Sequence, residues 1–104
     1  KDNSKFLYER ALRKILPLFS RTLSGQTDIV RFASELPNGE SVAMRIECNQ
    51  QEIKLAAICS NPSLHQDIAI ASHDLLDSLE STTNLKTSFQ IYSSYEEFDQ
   101  HYIK

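Results

Sequence analysis

The sequence predicts a single α+β domain with a mainly antiparallel four-stranded sheet and helices packed on one face. Three observations support this class. The chain opens with apolar residues at helical spacing, continues with three stretches of period two, and then repeats the helical spacing before a fourth alternating stretch. The predicted order is therefore helix, strand, strand, strand, helix, strand. Residues 95–104 favour a further short helix.

The first element is an amphipathic helix. Leu7, Ala11 and Ile15 fall one helical turn apart and predict its buried stripe. Pro17 has no backbone N–H to donate, so we expect the helix to stop or kink nearby. Residues 20–27 then have the composition of a loop.

Three strands follow as an antiparallel meander. Turn residues at 36–39 (Leu-Pro-Asn-Gly) and 49–52 (Asn-Gln-Gln-Glu) separate them. Alternation predicts one buried face. The residues on that face are Val30, Phe32, Ser34, Leu36, Val42, Met44, Ile46, Cys48, Ile53, Leu55, Ala57 and Cys59.

A second helix and a fourth strand complete the predicted sheet. Pro62 suits a first helical turn, and Ser63 followed by Gln66 predicts a capping box. The apolar stripe that follows predicts a helix over residues 63–81. Residues 85–92 alternate in polarity and predict the last strand.

The C-terminal tail carries its own helix signals. Ser94 and Glu97 repeat the capping-box spacing, while Tyr95, Phe98 and Tyr102 fall on one side of a helix. The sequence thus divides into an N-terminal helix and loop (1–26), a core (27–94) and a short helical tail (95–104). The chain begins at Lys1 without methionine, which favours the C-terminal part of a longer protein.

Charge is distributed unevenly along the chain. Residues 1–21 carry six basic and two acidic side chains, whereas the remainder carries five basic and twelve acidic ones. An acidic body disfavours nucleic-acid binding, which depends on neutralising phosphates. The basic residues Arg10, Arg13 and Lys14 indicate either a solvated helix face or a contact with an acidic partner. No apolar stretch approaches the roughly 20 residues that span a bilayer, so membrane insertion is not expected.

The two cysteines are predicted to be buried thiols. If residues 49–52 form a hairpin loop, Cys59 lies about 20 Å from Cys48 along the strand, at ~3.3 Å per residue. A disulfide joins Cα atoms less than about 7 Å apart, so these two residues cannot pair. Small buried residues in a reducing compartment are the better interpretation.

Signals of catalysis or cofactor binding are weak. Ser72, His73 and Asp74 are adjacent on a helix and point about 100° apart, so they cannot form a catalytic triad. His73 is instead expected at the surface near Asp77. The histidines lack the close spacing of metal ligands, and the chain has only two glycines, too few for a glycine-rich phosphate loop. We therefore expect no enzyme activity, no cofactor and no metal.

Two surfaces remain as candidate protein-binding sites. One is the turn formed by Leu36, Pro37, Asn38 and Gly39. Its simpler interpretation is a hairpin corner with a structural role alone. The other is the acidic outer face of the second helix, represented by Asp74 and Asp77. A domain with these features is expected to work by binding another protein.

The stretch from Ile29 to Tyr92 resembles a known family. It is similar to the C-terminal substrate-specificity-switch domain of flagellar hook-length control proteins and of needle-length regulators of virulence type III secretion systems. The resemblance rests on the corner at Leu36, Pro37 and Gly39, the strands VAMRIECN and EIKLAAIC, and the helix start SNPSL. Asn38 departs from the pattern, since the family has an apolar residue just before the corner glycine.

The resemblance implies a partner and a location. Members of the family act on the cytoplasmic domain of the export-gate switch protein, ending the export of early substrates and permitting later ones. It implies a monomeric domain in the bacterial cytoplasm that is itself a substrate for secretion through the type III apparatus. The corner residues 36–39 would be part of the contact.

A small acidic type III secretion chaperone, or another dimeric adaptor, is the alternative. Such chaperones are also of similar size and mixed α/β, and begin with a helix followed by three strands. They form dimers with a large apolar interface, which distinguishes them from a monomeric switch domain. They usually carry an extra strand after the second helix, and here only residues 85–92 follow it.

Overall fold

Helices and strands follow one another in the predicted order. The computed structural model describes residues 3–22, 27–36 and 39–102. Its elements are α1 (Asn3–Thr22), β1 (Asp28–Glu35), β2 (Ser41–Cys48), β3 (Glu52–Ile58), a 3₁₀ turn (Pro62–Leu64), α2 (His65–Thr83), β4 (Lys86–Tyr92) and α3 (Tyr95–Tyr102).

The helix α1 is longer than the sequence predicted. It continues past Pro17 to Thr22, so it does not stop at the proline, and the predicted loop begins later. A proline at this position removes the bond that its N–H would make to the Arg13 carbonyl. Arg13 is exposed, which lets water satisfy that carbonyl. Residues 23–26 of the predicted loop lie outside the described residues.

The sheet has the strand order β1-β2-β3-β4. Both predicted turns join antiparallel neighbours, with Phe32 opposite Met44 and Ile46 opposite Leu55. The strand β4 instead runs parallel to β3, since α2 carries the chain back across the sheet between them. Two of the three pairings are thus antiparallel, and the mainly antiparallel α+β class is confirmed.

One face of the sheet packs against α1 and α2 and forms the main core. The predicted stripe residues Leu7, Ala11 and Ile15 are buried, as are the inner residues of β2 and β3. From α2 the core receives Ile68, Leu75 and Leu79. Cys48 and Cys59 are buried thiols, as the strand geometry predicted.

The short helix α3 lies against the other face of the sheet. Phe98 packs edge-on against Tyr92, with ring centroids 5.5 Å apart, and both are buried together with Ala56 and Ile58. One half of the predicted capping box is present, since Ser94 Oγ accepts from the Glu97 N–H at 3.1 Å. The Glu97 carboxylate does not bond the Ser94 N–H but the one before it, accepting from the Ser93 N–H at 2.7 Å.

One buried hydroxyl in α2 provides a test of the packing. Ser72 is 1% exposed and its Oγ has no hydrogen-bond partner. We expect Ser72→Ala to raise the free energy of unfolding by about 1–2 kcal/mol, because an unsatisfied buried hydroxyl is removed and alanine favours helix. Thermal and urea unfolding measure the change. Ser81→Ala, at an exposed position of the same helix, controls for helix propensity and should change stability by under about 0.5 kcal/mol. An equal effect of the two changes would contradict the prediction.

Candidate protein-binding surfaces

The predicted corner is held by backbone hydrogen bonds. The Leu36 N–H donates to the Glu40 carbonyl at 2.7 Å, and the Gly39 N–H donates to the Leu36 carbonyl at 2.9 Å. Gly39 has φ +90° and is exposed, which explains the glycine. The Leu36 side chain is 3% exposed and belongs to the main core. Pro37 and Asn38 lie outside the described residues.

The 3₁₀ turn that leads into α2 is capped by Asn61. Its Oδ1 accepts from the Ser63 N–H at 3.0 Å and from the Ser63 hydroxyl at 2.8 Å. The 3₁₀ turn then begins with Pro62, the position where a missing N–H costs least. The predicted capping box at Ser63 and Gln66 is therefore wrong, because the Asn61 side chain already occupies the capping role. The sequence analysis missed this cap, although Asn directly before Pro is a signal that could have indicated it.

The corner and the start of α2 are joined by one side-chain contact. Asn61 Nδ2 donates to Glu40 Oε2 at 2.6 Å, across 21 residues of sequence. Because Glu40 directly follows Gly39, this bond fixes the corner relative to the helix. The end of the corner at Gly39 and Glu40 is thus tied to SNPSL, the second segment that carried the family resemblance.

The acidic face of α2 is open to solvent. Asp74 and Asp77 have side chains 65% and 66% exposed. His73 lies between them, with its Nδ1 3.5 Å from Asp77 Oδ2 and 3.9 Å from Asp74 Oδ1. The predicted surface position of His73 near Asp77 is confirmed. Ile70, one turn earlier, is 44% exposed and adds an apolar side chain to this face.

The residues that the sequence offered for catalysis or metal binding are not brought together in the described part of the chain. Ser72 is buried in the core while His73 points to solvent, so the two side chains do not meet. Among the described residues, no three His, Cys, Asp or Glu side chains are grouped to hold a metal ion. None of the described helices has the length and hydropathy of a membrane span.

Comparison with known proteins adds a structural relative. No protein-family profile and no curated protein matches the sequence. The crystal structure of the PscP SS domain superposes with a TM-score of 0.61 and 13% identity, covering 88% of this chain and 93% of that chain. The chain has the fold of a type III secretion substrate-specificity-switch domain. The resemblance predicted from the sequence is thereby confirmed as a likeness of fold.

The switch fold extends beyond the residues that suggested it. The sequence resemblance covered Ile29 to Tyr92, whereas the structural match covers 88% of the chain. The protein-binding roles predicted for residues 36–39 and for Asp74 and Asp77 stay predictions.

Proposed function

We propose that this domain is the substrate-specificity switch of a type III secretion needle-length regulator and binds the cytoplasmic domain of the export-gate switch protein. The likeness of fold to the PscP SS domain, over nearly the whole of both chains, is the observation that carries the proposal. In this role the domain acts as a monomer in the bacterial cytoplasm. It passes out through the type III apparatus with the rest of the regulator.

The placement of the sequence motifs supports this function. Asn61 ties the corner to the segment before α2, so a partner that contacts one segment finds the other in a defined orientation. Backbone bonds at Leu36 and Gly39 give the corner a set shape before binding, which reduces the entropy lost on association. The face at Asp74 and Asp77 offers negative charge to a basic partner.

Molar mass and complex formation test the proposed function. Light scattering at several concentrations should give the monomer mass of 11.9 kDa. Addition of the purified cytoplasmic domain of the export-gate switch protein should then give a heterocomplex. A stable homodimer that does not bind this partner would overturn the proposal and favour the secretion chaperone.

The corner glycine gives a specific prediction. Gly39→Ala should lower the free energy of unfolding by about 1 kcal/mol, because φ +90° strains an L-residue although its Cβ would meet no atom within 4 Å. The fold should persist, while affinity for the export-gate domain should fall. Calorimetric titration and thermal unfolding measure the two effects.

A matched control separates binding from stability. Thr83→Ala removes the hydroxyl that bonds the Leu79 carbonyl at 2.6 Å and the Leu85 N–H, and should cost a similar amount. It changes the C-terminal end of α2, about 28 Å along the helix from its start. If Thr83→Ala weakens binding as much as Gly39→Ala, the corner has no special part in recognition.

The acidic face gives a second prediction. Reversing Asp74 and Asp77 to lysine should weaken the complex by about tenfold at low salt, if the partner contributes basic side chains. Reversing Glu9 and Glu96, which are also exposed and lie outside the corner and this face, makes the same change of net charge elsewhere. Affinity measured at two salt concentrations distinguishes local contacts from net charge. Equal losses for both pairs, or no loss at low salt, would remove this face from the interface.

A further inference from the structure

A groove runs over the outer face of the sheet between α3 and β1. Its floor is made by Ala33, Ala43 and Ile58, and Tyr95 forms one wall with its side chain 63% exposed. The volume of the deeper part is about 360 Å³. This is room for one or two large side chains, within the range of small binding sites.

The groove exists because α3 covers only part of this face. Pairing across the sheet aligns Ala33 with Ala43, Ala43 with Ile58, and Ile58 with Tyr92 in one apolar row. Phe98 covers the row at β3 and β4. On β1 and β2 the two alanines are too short to fill the space, so apolar surface stays open beside Tyr95.

Positive charge lies at one end of the groove. Arg31 on β1 pairs directly with Arg45 on β2, and both line the groove. Arg45 bonds Glu47 at 3.1 Å and lies 6.0 Å from the centre of the Phe98 ring. Arg31 is exposed and forms no ion pair within the described ranges. Like charges opposite one another on strands are unfavourable, so an anion bound here would reduce the repulsion between Arg31 and Arg45.

The position of β1 favours an extended ligand. Among the strands that the structure describes, β1 lies at one edge of the sheet, with β2 as its neighbour on one side only. Edge strands are the usual sites where an extended peptide joins a sheet, with specificity set by pockets for alternate side chains. The groove at Ala33 and the charge at Arg31 lie on the same face of this strand, two residues apart.

We propose that this groove binds an extended, acidic segment of a partner protein. A bulky apolar side chain of the segment sits over Ala33 and Ala43 against Tyr95. A carboxylate of the segment pairs with Arg31, beside Arg45. Asp99, which also lines the groove, disfavours a second carboxylate at the α3 side. The inference goes beyond the proposed function, since it defines the bound chemistry whichever protein carries it.

Peptide titration of the isotope-labelled chain tests the groove directly. The probe is an extended peptide with one Phe and one Glu two residues apart, so that both side chains face the groove, and the comparison peptide has Lys in place of Glu. The acidic peptide should shift the amide resonances of Ala33, Ala43 and Tyr95, and the basic peptide should not. Shifts confined to the α2 face, or equal binding of both peptides, would overturn the proposal.

Variants define the contribution of each wall. Arg31→Glu should weaken binding of the acidic peptide about tenfold, and Ala33→Leu, which fills the hollow at an exposed position, should weaken it similarly. Lys86→Glu makes the same charge change on the other edge strand and should alter affinity less than about twofold. An equal effect of Lys86→Glu would mean that only net charge attracts the peptide.

Two further outcomes have distinct meanings. A concentration-dependent dimer that Ala33→Leu abolishes would show that a second copy of this chain occupies the groove, and would overturn the acidic-segment proposal. If the export-gate domain binds and Arg31→Glu leaves that binding and peptide binding unchanged, the groove proposal fails while the proposed function stands. If the acidic peptide binds the groove and the export-gate domain does not bind, the groove proposal stands while the proposed function fails.

Discussion

Replacing Phe98 with alanine is expected to release α3 from the sheet while the rest of the fold persists. Phe98 is 7% exposed and joins Tyr92, Ala56 and Ile58 in the small core beneath α3. Truncation of a buried phenylalanine costs about 3–5 kcal/mol. An isolated helix of eight residues is not stable in water, so α3 should unfold once this anchor is lost.

The expected loss of structure is large within α3 and confined to that helix. Among the residues that the structure describes, the main core between the sheet, α1 and α2 shares no buried residue with the cluster under α3. The main core should therefore survive the change. Hydrogen exchange should show protection lost in residues 95–100 and retained in β2 and β3. Tyr95→Ala removes an exposed aromatic from the same helix and should cost under about 0.5 kcal/mol. Cooperative loss of protection throughout the sheet in Phe98→Ala would contradict the prediction.

Replacing Asn61 with alanine is expected to destabilise the domain by about 2 kcal/mol and to uncouple the corner from α2. Loss of the helix cap contributes about 1 kcal/mol. Loss of the hydrogen bond to Glu40, at 2.6 Å, contributes about another 1 kcal/mol. Binding to the export-gate domain should weaken more than it does in a variant of equal stability, because the orientation of the corner is part of the proposed contact.

A double-mutant cycle separates the two roles of Asn61. Asn61→Asp keeps an oxygen for the Ser63 N–H but can no longer donate to Glu40. Adding Glu40→Gln restores a donor and acceptor pair with the roles exchanged. Urea unfolding should show recovery of most of the loss in the double variant. If the double variant is no more stable than Asn61→Asp alone, the Glu40 contact contributes nothing.

The arrangement at the corner also changes how its residues should be tested. Leu36 is a core residue, so its truncation is expected to destabilise the fold and reports little about binding. Gly39 is exposed and its replacement strains only the backbone. Gly39 is therefore the corner position where function can best be separated from folding, whereas Asn61 needs the double-mutant cycle for that purpose.

Local sequence patterns determined the elements and the main core of this protein. Alternation placed Val42, Met44 and Ile46 on the buried face, and helical spacing did the same for Leu7, Ala11 and Ile15. These predictions succeeded because burial of one face imposes a period of two or 3.6 on the residues that carry it. The resemblance of the corner and helix-start segments indicated the switch fold for a different reason, since short turns have short sequence signatures.

Tertiary structure alone decided three features. It made β4 parallel to β3, placed α3 on the outer face beside the groove, and joined Asn61 to Glu40. Each depends on contacts between residues far apart in the chain, where periodicity carries no information about which surfaces meet. The groove at Ala33 and Arg31 likewise appears only when the register aligns β1 with β2. Periodicity shows which side of an element is buried, whereas the choice of neighbour depends on packing of the whole chain.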